Sequence, residues 1–262
     1  MSRHRRTATN ALQHLLLLAA ILLLWEAAVR LFDVPQIVLP TPSSILQALI
    51  GLLGSSTFYR HLVVTLGEIL AGFGLGAVGG TVLGVVIGLS PTMYRLLFPY
   101  VVAFETMPKV AIAPIIVVWA GYGMTSKVII TALIAFFPLL ANTVMGLRSA
   151  PREQIEMLVA ATASRWQVFH MVQFRHALPQ IFTGLDIAIV LSVIGAIVGE
   201  FVGARAGLGY LILQYNFNFN IAGTFAVLFI LSAIGIVLHW IVASLHTRIV
   251  FWVEHDALHR EA

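Results

Sequence analysis

No cysteine occurs among the 262 residues, which excludes disulfides, thiolate metal sites and a cysteine nucleophile. Charge is also scarce: Asp, Glu, Lys and Arg make up 10% of the chain against 60% hydrophobic residues, and the mean hydropathy is +0.96. A water-soluble domain carries about a quarter charged residues, so there is too little polar surface here to cover a soluble globule. Lipid must do part of the covering. Because lipid cannot satisfy backbone polar groups, the spans must be helices or a closed barrel. The apolar runs are long and continuous rather than alternating over about ten residues, so an all-α membrane protein is expected.

Two further absences narrow the chemistry. No glycine-rich phosphate loop with its lysine is present, so the chain is not expected to hydrolyse ATP. The nine histidines show no paired spacing of the kind that holds a metal. The net charge of +4 does not point to nucleic acid, because the basic residues are scattered between apolar runs instead of forming one patch.

A helix needs roughly twenty apolar residues to cross the hydrocarbon. Six stretches qualify: residues 11–31, 62–89, 98–120, 128–147, 181–202 and 222–246. Residues 1–60 form an N-terminal span with an interfacial segment, residues 61–250 a core of five spans, and residues 251–262 a tail. The basic start, Arg3 to Arg6, followed by an apolar run also has the form of a signal peptide, but no clear cleavage site follows Leu24. Between the first two spans, Pro35, Pro40 and Pro42 stop the helix, and Thr41 or Ser43 caps a short new one. Ten arginines fall on one side, among them Arg95, Arg148, Arg152, Arg165 and Arg175. Arg30, Arg60, Lys127 and Arg205 fall on the other. The positive-inside rule then places both termini in the cytoplasm.

Gly72, Gly76, Gly80, Gly84 and Gly88 recur every fourth residue. They form a ridge without side chains that lets another helix approach closely, either as plain packing or as a mobile seam. Charges within spans are costly and are functional candidates. Glu105 and Lys109 are spaced to pair on one face, with Pro108 and Pro114 nearby to kink the helix. Together with Glu200 they are candidates for lining a translocation path, the alternative being that these groups lock helices together. Asp186 suits a helix start, and Gln214 to Asn220 suits an interfacial aromatic belt or an outer gate.

Arg148 to Pro179 is the polar interruption. Pro151, Glu153 and Glu156 suit a helix start, and Ile155, Val159, Thr162, Trp166 and Phe169 form one apolar stripe. A cytoplasmic amphipathic helix over about 152–169 results, either flat on the membrane or docking a soluble partner. Glu156 through Ser164, then Val172 to Arg175 and Ala177 to Leu185, resemble the EAA loop of permease subunits of binding-protein-dependent ABC importers. Glu156, Ala163, Ser164, Leu178, Pro179 and Gly184 match that loop. Met157 and Leu158 replace its paired alanines, Thr162 its glycine and Arg175 its first proline. Leu39 to Ser43, Pro108 to Lys127 and Gly207 to Ile212 extend the resemblance, most closely toward nitrate, sulfonate, taurine and pyrimidine-precursor permeases.

The resemblance implies a type I importer fold with a coupling helix at Glu156, Ala160, Ala161, Thr162, Ala163 and Ser164. It also implies a homodimeric path working by alternating access, a separate ATPase carrying ATP and magnesium, a periplasmic binding protein, and a bacterial inner membrane. This chain itself is then non-catalytic and holds no cofactor. Two other classes compete: a secondary transporter or channel driven by an ion gradient, and an intramembrane hydrolase using Ser90 and His239.

Overall fold

The computed structural model describes residues 2–252, and nearly all of them are helical. The elements are α1 (Ser2–Leu31), α2 (Pro42–Leu53), α3 (Ser56–Leu89), α4 (Pro91–Thr106), α5 (Ala113–Ala120), α6 (Met124–Arg148), α7 (Arg152–Ala160), α8 (Arg165–Val168), α9 (Phe174–Gly203), α10 (Leu208–Phe217) and α11 (Ile221–Ile249). Among the described residues four helical segments are long and apolar enough to span a membrane, or five if the bent pair α4–α5 is one span. The first expected span coincides with α1. Of the expected tail, residues 253–262 lie outside the described residues.

The chain forms two compact units. The smaller comprises residues 1–61 and 211–230. Its α1 exposes a run of leucines, including Leu16, Leu17, Leu23 and Leu24, a surface suited to lipid. Glu26 on α1 ties this unit together. Its carboxylate accepts the Ser43 backbone N–H at 3.0 Å and the Ser43 hydroxyl at 2.8 Å, and Arg30 donates to it from the next turn. The start of α2 is thus capped twice, by Thr41 from its own chain and by an acid from α1. Trp25 packs edge-on against Phe225 in the same unit.

The larger unit, residues 62–210 and 231–262, is organised about α6. On α3 the glycine ridge meets α6 directly. A Cβ at Gly76 would stand 2.7 Å from the Ala132 carbonyl, one at Gly80 2.7 Å from the Phe136 carbonyl, and one at Gly84 2.6 Å from Thr143 Cβ. A second ridge of small residues lies on α9. Gly184, Ala188, Ser192, Ala196 and Gly199 are all buried, and Gly184, Gly195 and Gly199 press on Leu139, Thr131 and Lys127 of α6. In lipid, where helix association depends on close packing, two such ridges hold α3 and α9 against α6. The α9 ridge keeps the four-residue spacing of the α3 ridge from Gly184 to Ala196, with alanine and serine in place of some glycines, and ends with a three-residue step to Gly199.

Two expected elements differ in the structure. The third span is not one helix: α4 and α5 meet at 82°, because Pro108 cannot donate a helical hydrogen bond and Met107 is extended. The stretch from Gln214 to Asn220 is the last turn of α10 followed by a tight turn. There Phe219 takes a positive φ, and the Asn220 side chain accepts the Gly223 N–H. The second difference is in the polar interruption.

Candidate coupling segment and polar positions in the spans

The expected continuous helix over 152–169 breaks after Ala160. Arg152–Ala160 forms α7, whose residues are all exposed or half-buried. Thr162 then adopts φ +63°, the left-handed conformation for which glycine is the usual residue. The threonine standing in that place takes up the helix-breaking geometry all the same. Ser164 opens the next helix with a capping box: its hydroxyl accepts the Gln167 N–H at 3.3 Å, and Gln167 Oε1 accepts the Ser164 N–H at 2.7 Å. From α8 the chain passes through a π-turn, Phe169–Gln173, into α9 without interruption. The fifth span thus begins far earlier than residue 181, and Trp166 and Phe169 belong to it rather than to α7.

The segment so formed is a short helix, a tight turn and the capped start of a long helix. Glu156, Ala160, Ala161, Thr162 and Ser164 are exposed on it, and Ala163 is half-buried. Beside these small side chains stand Met157, Val159 and Trp166, which are 65%, 59% and 69% exposed. Met157 and Val159 lie on α7, outside the spans, and Trp166 lies in the first turn of the helical segment that begins at Arg165. Gln154 Oε1 lies 3.0 Å from His176 Nε2, which ties α7 back to the start of α9.

The charges within the spans separate into two kinds. Glu200 is fully buried. Its Oε1 accepts the Thr65 hydroxyl at 2.6 Å, and its Oε2 accepts the Gly209 N–H at 2.5 Å and the Tyr210 N–H at 3.2 Å. Glu200 therefore caps α10 from the end of α9. A side chain at Gly207 would collide with its carboxyl group. Glu68 lies in the same buried cluster, beside Glu200.

Lys127, counted from the sequence with the outer loop charges, is instead 2% exposed in the first turn of α6. Its ammonium donates to the carbonyls of Tyr122 at 2.7 Å, Gly123 at 3.0 Å and Gly203 at 3.0 Å. That burial removes it from the comparison of basic residues, which leaves Arg30, Arg60 and Arg205 in its group. A lysine four residues after a Tyr-Gly turn, one helical turn on, was the signal that this ammonium has carbonyls within reach.

Glu105 and Lys109 are placed differently. Glu105 is exposed and Lys109 half-buried, and the ammonium bonds the Glu105 carbonyl oxygen at 2.8 Å rather than its carboxylate. The break at Pro108 frees that carbonyl, and the lysine side chain takes it. Lys109 also lies 5.2 Å from the centroid of the Phe137 ring. Asp186 contacts His239 Nδ1 at 2.5 Å, and the Ser90 hydroxyl accepts the Met93 N–H as the cap of α4. The serine and histidine weighed for hydrolysis are thus each engaged elsewhere. Among the described residues no cluster is able to hold a metal ion.

Residues 80–251 match the family described as binding-protein-dependent transport system inner membrane component. Formylaminopyrimidine transport permease protein ThiX of Halalkalibacterium halodurans is 39% identical over 87% of this chain and 90% of its own length. Riboflavin transport system permease protein RibX of Chloroflexus aurantiacus is 37% identical over 90% and 88%. An aliphatic sulfonate permease protein of Bacillus subtilis, SsuC, is 29% identical over 91% and 86%. Among solved structures, a chain of the MetNI methionine ABC transporter superposes with a TM-score of 0.61 at 25% identity, covering 74% of this chain and 94% of that one. The chain belongs to the family of inner-membrane permease subunits of binding-protein-dependent ABC transporters, and it is a transport subunit whose ATPase is a separate protein.

Proposed function

We propose that two copies of this chain form the translocation path of an importer in a bacterial inner membrane. An ATP-binding subunit docks on the α7–α8 segment of each copy, and a periplasmic binding protein delivers the cargo. The exposed segment from Glu156 to Ser164 carries this reading. Its small residues leave room for a partner's surface, and Met157, Val159 and Trp166 offer that partner apolar contact. The excess of arginine beside this segment supports its location in the cytoplasm, with both termini on the same side. Closure of the ATPase dimer pushes on α7. The push passes through the Ser164 cap and the π-turn into α9, because these are one continuous helical segment.

The cargo is a small planar nitrogen heteroaromatic of the formylaminopyrimidine kind. The relatives named for formylaminopyrimidine and riboflavin are more similar to this chain than the relative named for aliphatic sulfonates. Coexpression with an ATPase and a binding protein tests the reading. The wild-type complex copurifies and drives ATP-dependent uptake of a formylaminopyrimidine into proteoliposomes, while Ala160→Trp abolishes ATPase copurification. Retention of the ATPase by Ala160→Trp together with full uptake would overturn the docking assignment.

A further inference from the structure

Two lysines lie in the spans, and their ammonium groups differ in how fully they are used. An ammonium has three N–H donors. Lys127 gives to three backbone carbonyls and is buried, so nothing is left over. Lys109 gives to one, that of Glu105. The face of Phe137 stabilises its charge but takes no conventional hydrogen bond. Lys109 therefore has donor capacity to spare.

Its surroundings carry complementary chemistry. Phe104 is 52% exposed and stacks near Phe137, with centroids 6.1 Å apart and planes 24° from parallel. Glu105 is exposed with its carboxylate in no ion pair among the described residues. The backbone at Met107 and Pro108 has left the helix and is exposed as well. This cluster sits halfway along the broken α4–α5 span. Lipid accepts neither bare charges nor non-helical backbone at such a place, whereas a water-filled path accepts both.

We propose that Phe104, Glu105 and Lys109, backed by Phe137, form a cargo contact in the translocation path, built for a planar nitrogen heteroaromatic. The ring stacks on Phe104, a carbonyl or ring-nitrogen acceptor takes the spare Lys109 donors, and an exocyclic amine donates to Glu105. A sulfonate or nitrate fits this site poorly. It offers no ring to stack on Phe104, and its anionic group would meet a carboxylate beside a single ammonium already shared with a carbonyl. The proposal rests on the permease and cargo reading above and adds the residues that recognise the cargo.

Because the chain has no cysteine, Phe104→Cys and Lys109→Cys each create the sole thiol. In proteoliposomes with the ATPase and the binding protein, both react with a charged methanethiosulfonate. The rate is at least about tenfold above that of Leu23→Cys on the leucine face of α1, since only the water-exposed thiolate is nucleophilic. A formylaminopyrimidine at about ten times its half-protecting concentration slows labelling of Phe104→Cys about tenfold, and taurine does not. Lys109→Met lowers pyrimidine uptake at least about tenfold, and Lys109→Arg restores much of it. Labelling no faster than at Leu23→Cys overturns the path position. Labelling that neither compound slows overturns the cargo contact and leaves the permease reading standing. If wild-type vesicles import taurine and not the pyrimidine, the cargo reading itself fails, whatever the labelling shows.

Discussion

The hydroxyl of Thr65 donates to Glu200 Oε1 at 2.6 Å across 135 residues of sequence, and it accepts the Leu208 N–H at 2.7 Å. One small side chain on α3 thereby joins the end of α9 to the start of α10. Glu200 completes the joint through the Gly209 and Tyr210 amides. Buried carboxylates of this kind serve as internal caps when every oxygen has donors.

Replacing that carboxylate with a methyl group leaves the buried N–H groups of Gly209 and Tyr210 without their acceptor. Glu200→Ala is expected to cost about 3 kcal/mol, read as a large fall in melting temperature of the detergent-purified protein. Glu68→Gln is expected to cost less than about 1 kcal/mol, because Glu68 Oε2 has no hydrogen-bond partner to lose. Equal losses in the two variants would contradict the capping role of Glu200.

Lys127→Met strips a donor from three carbonyls at once. A loss of about 3 kcal/mol or more is expected, whereas Lys109→Met, which frees one carbonyl on an exposed face, costs about 1 kcal/mol. Thermal unfolding of the two variants side by side measures the difference.

The glycine ridge makes a position-specific prediction. Gly80→Ala drives a methyl group against the Phe136 carbonyl of α6 and is expected to destabilise by about 1–3 kcal/mol. Gly74→Ala, on the same helix but with open space at its Cβ, is expected to be neutral or slightly stabilising because alanine favours the helix. Monodisperse yield and melting temperature distinguish the two. A similar loss at both positions would mean that the α3–α6 contact is not the source of the cost.

At the coupling segment, Ser164→Ala removes the hydroxyl half of a capping box and is expected to cost about 1 kcal/mol. Hydrogen exchange at the Gln167 amide should speed up accordingly, with α6 amides unaffected. Thr162→Gly relieves a β-branched residue in the left-handed region, worth about 1–2 kcal/mol. Much of this is offset by the roughly 0.5–1 kcal/mol entropic cost of glycine. Uptake close to wild type is expected, and a large loss would mean that the Thr162 side chain itself contacts the ATPase.

The sequence determined what depends on composition and local chemistry. Sixty per cent hydrophobic residues against ten per cent charged leave no soluble solution, and long apolar runs leave only helices. Thr41-Pro42 wrote its own helix start, and the four-residue glycine spacing on α3 was legible because a ridge is a property of one helix. The segment from Glu156 to Ser164 was legible as the polar stretch among spans, and the resemblance gave it a partner.

The tertiary structure decided what depends on which helix lies beside which. Glu200 and Glu105 look alike in sequence, each an acid in an apolar run. The first is enclosed by donors from α3 and α10 and the second is left exposed. Lys127 is saturated because the Gly203 carbonyl arrives from a helix 76 residues away, and Lys109 is not, because Pro108 gives it only its own turn to bond. Whether a buried charge is satisfied is a property of its neighbours, and neighbours far along the chain are fixed only when the helices pack.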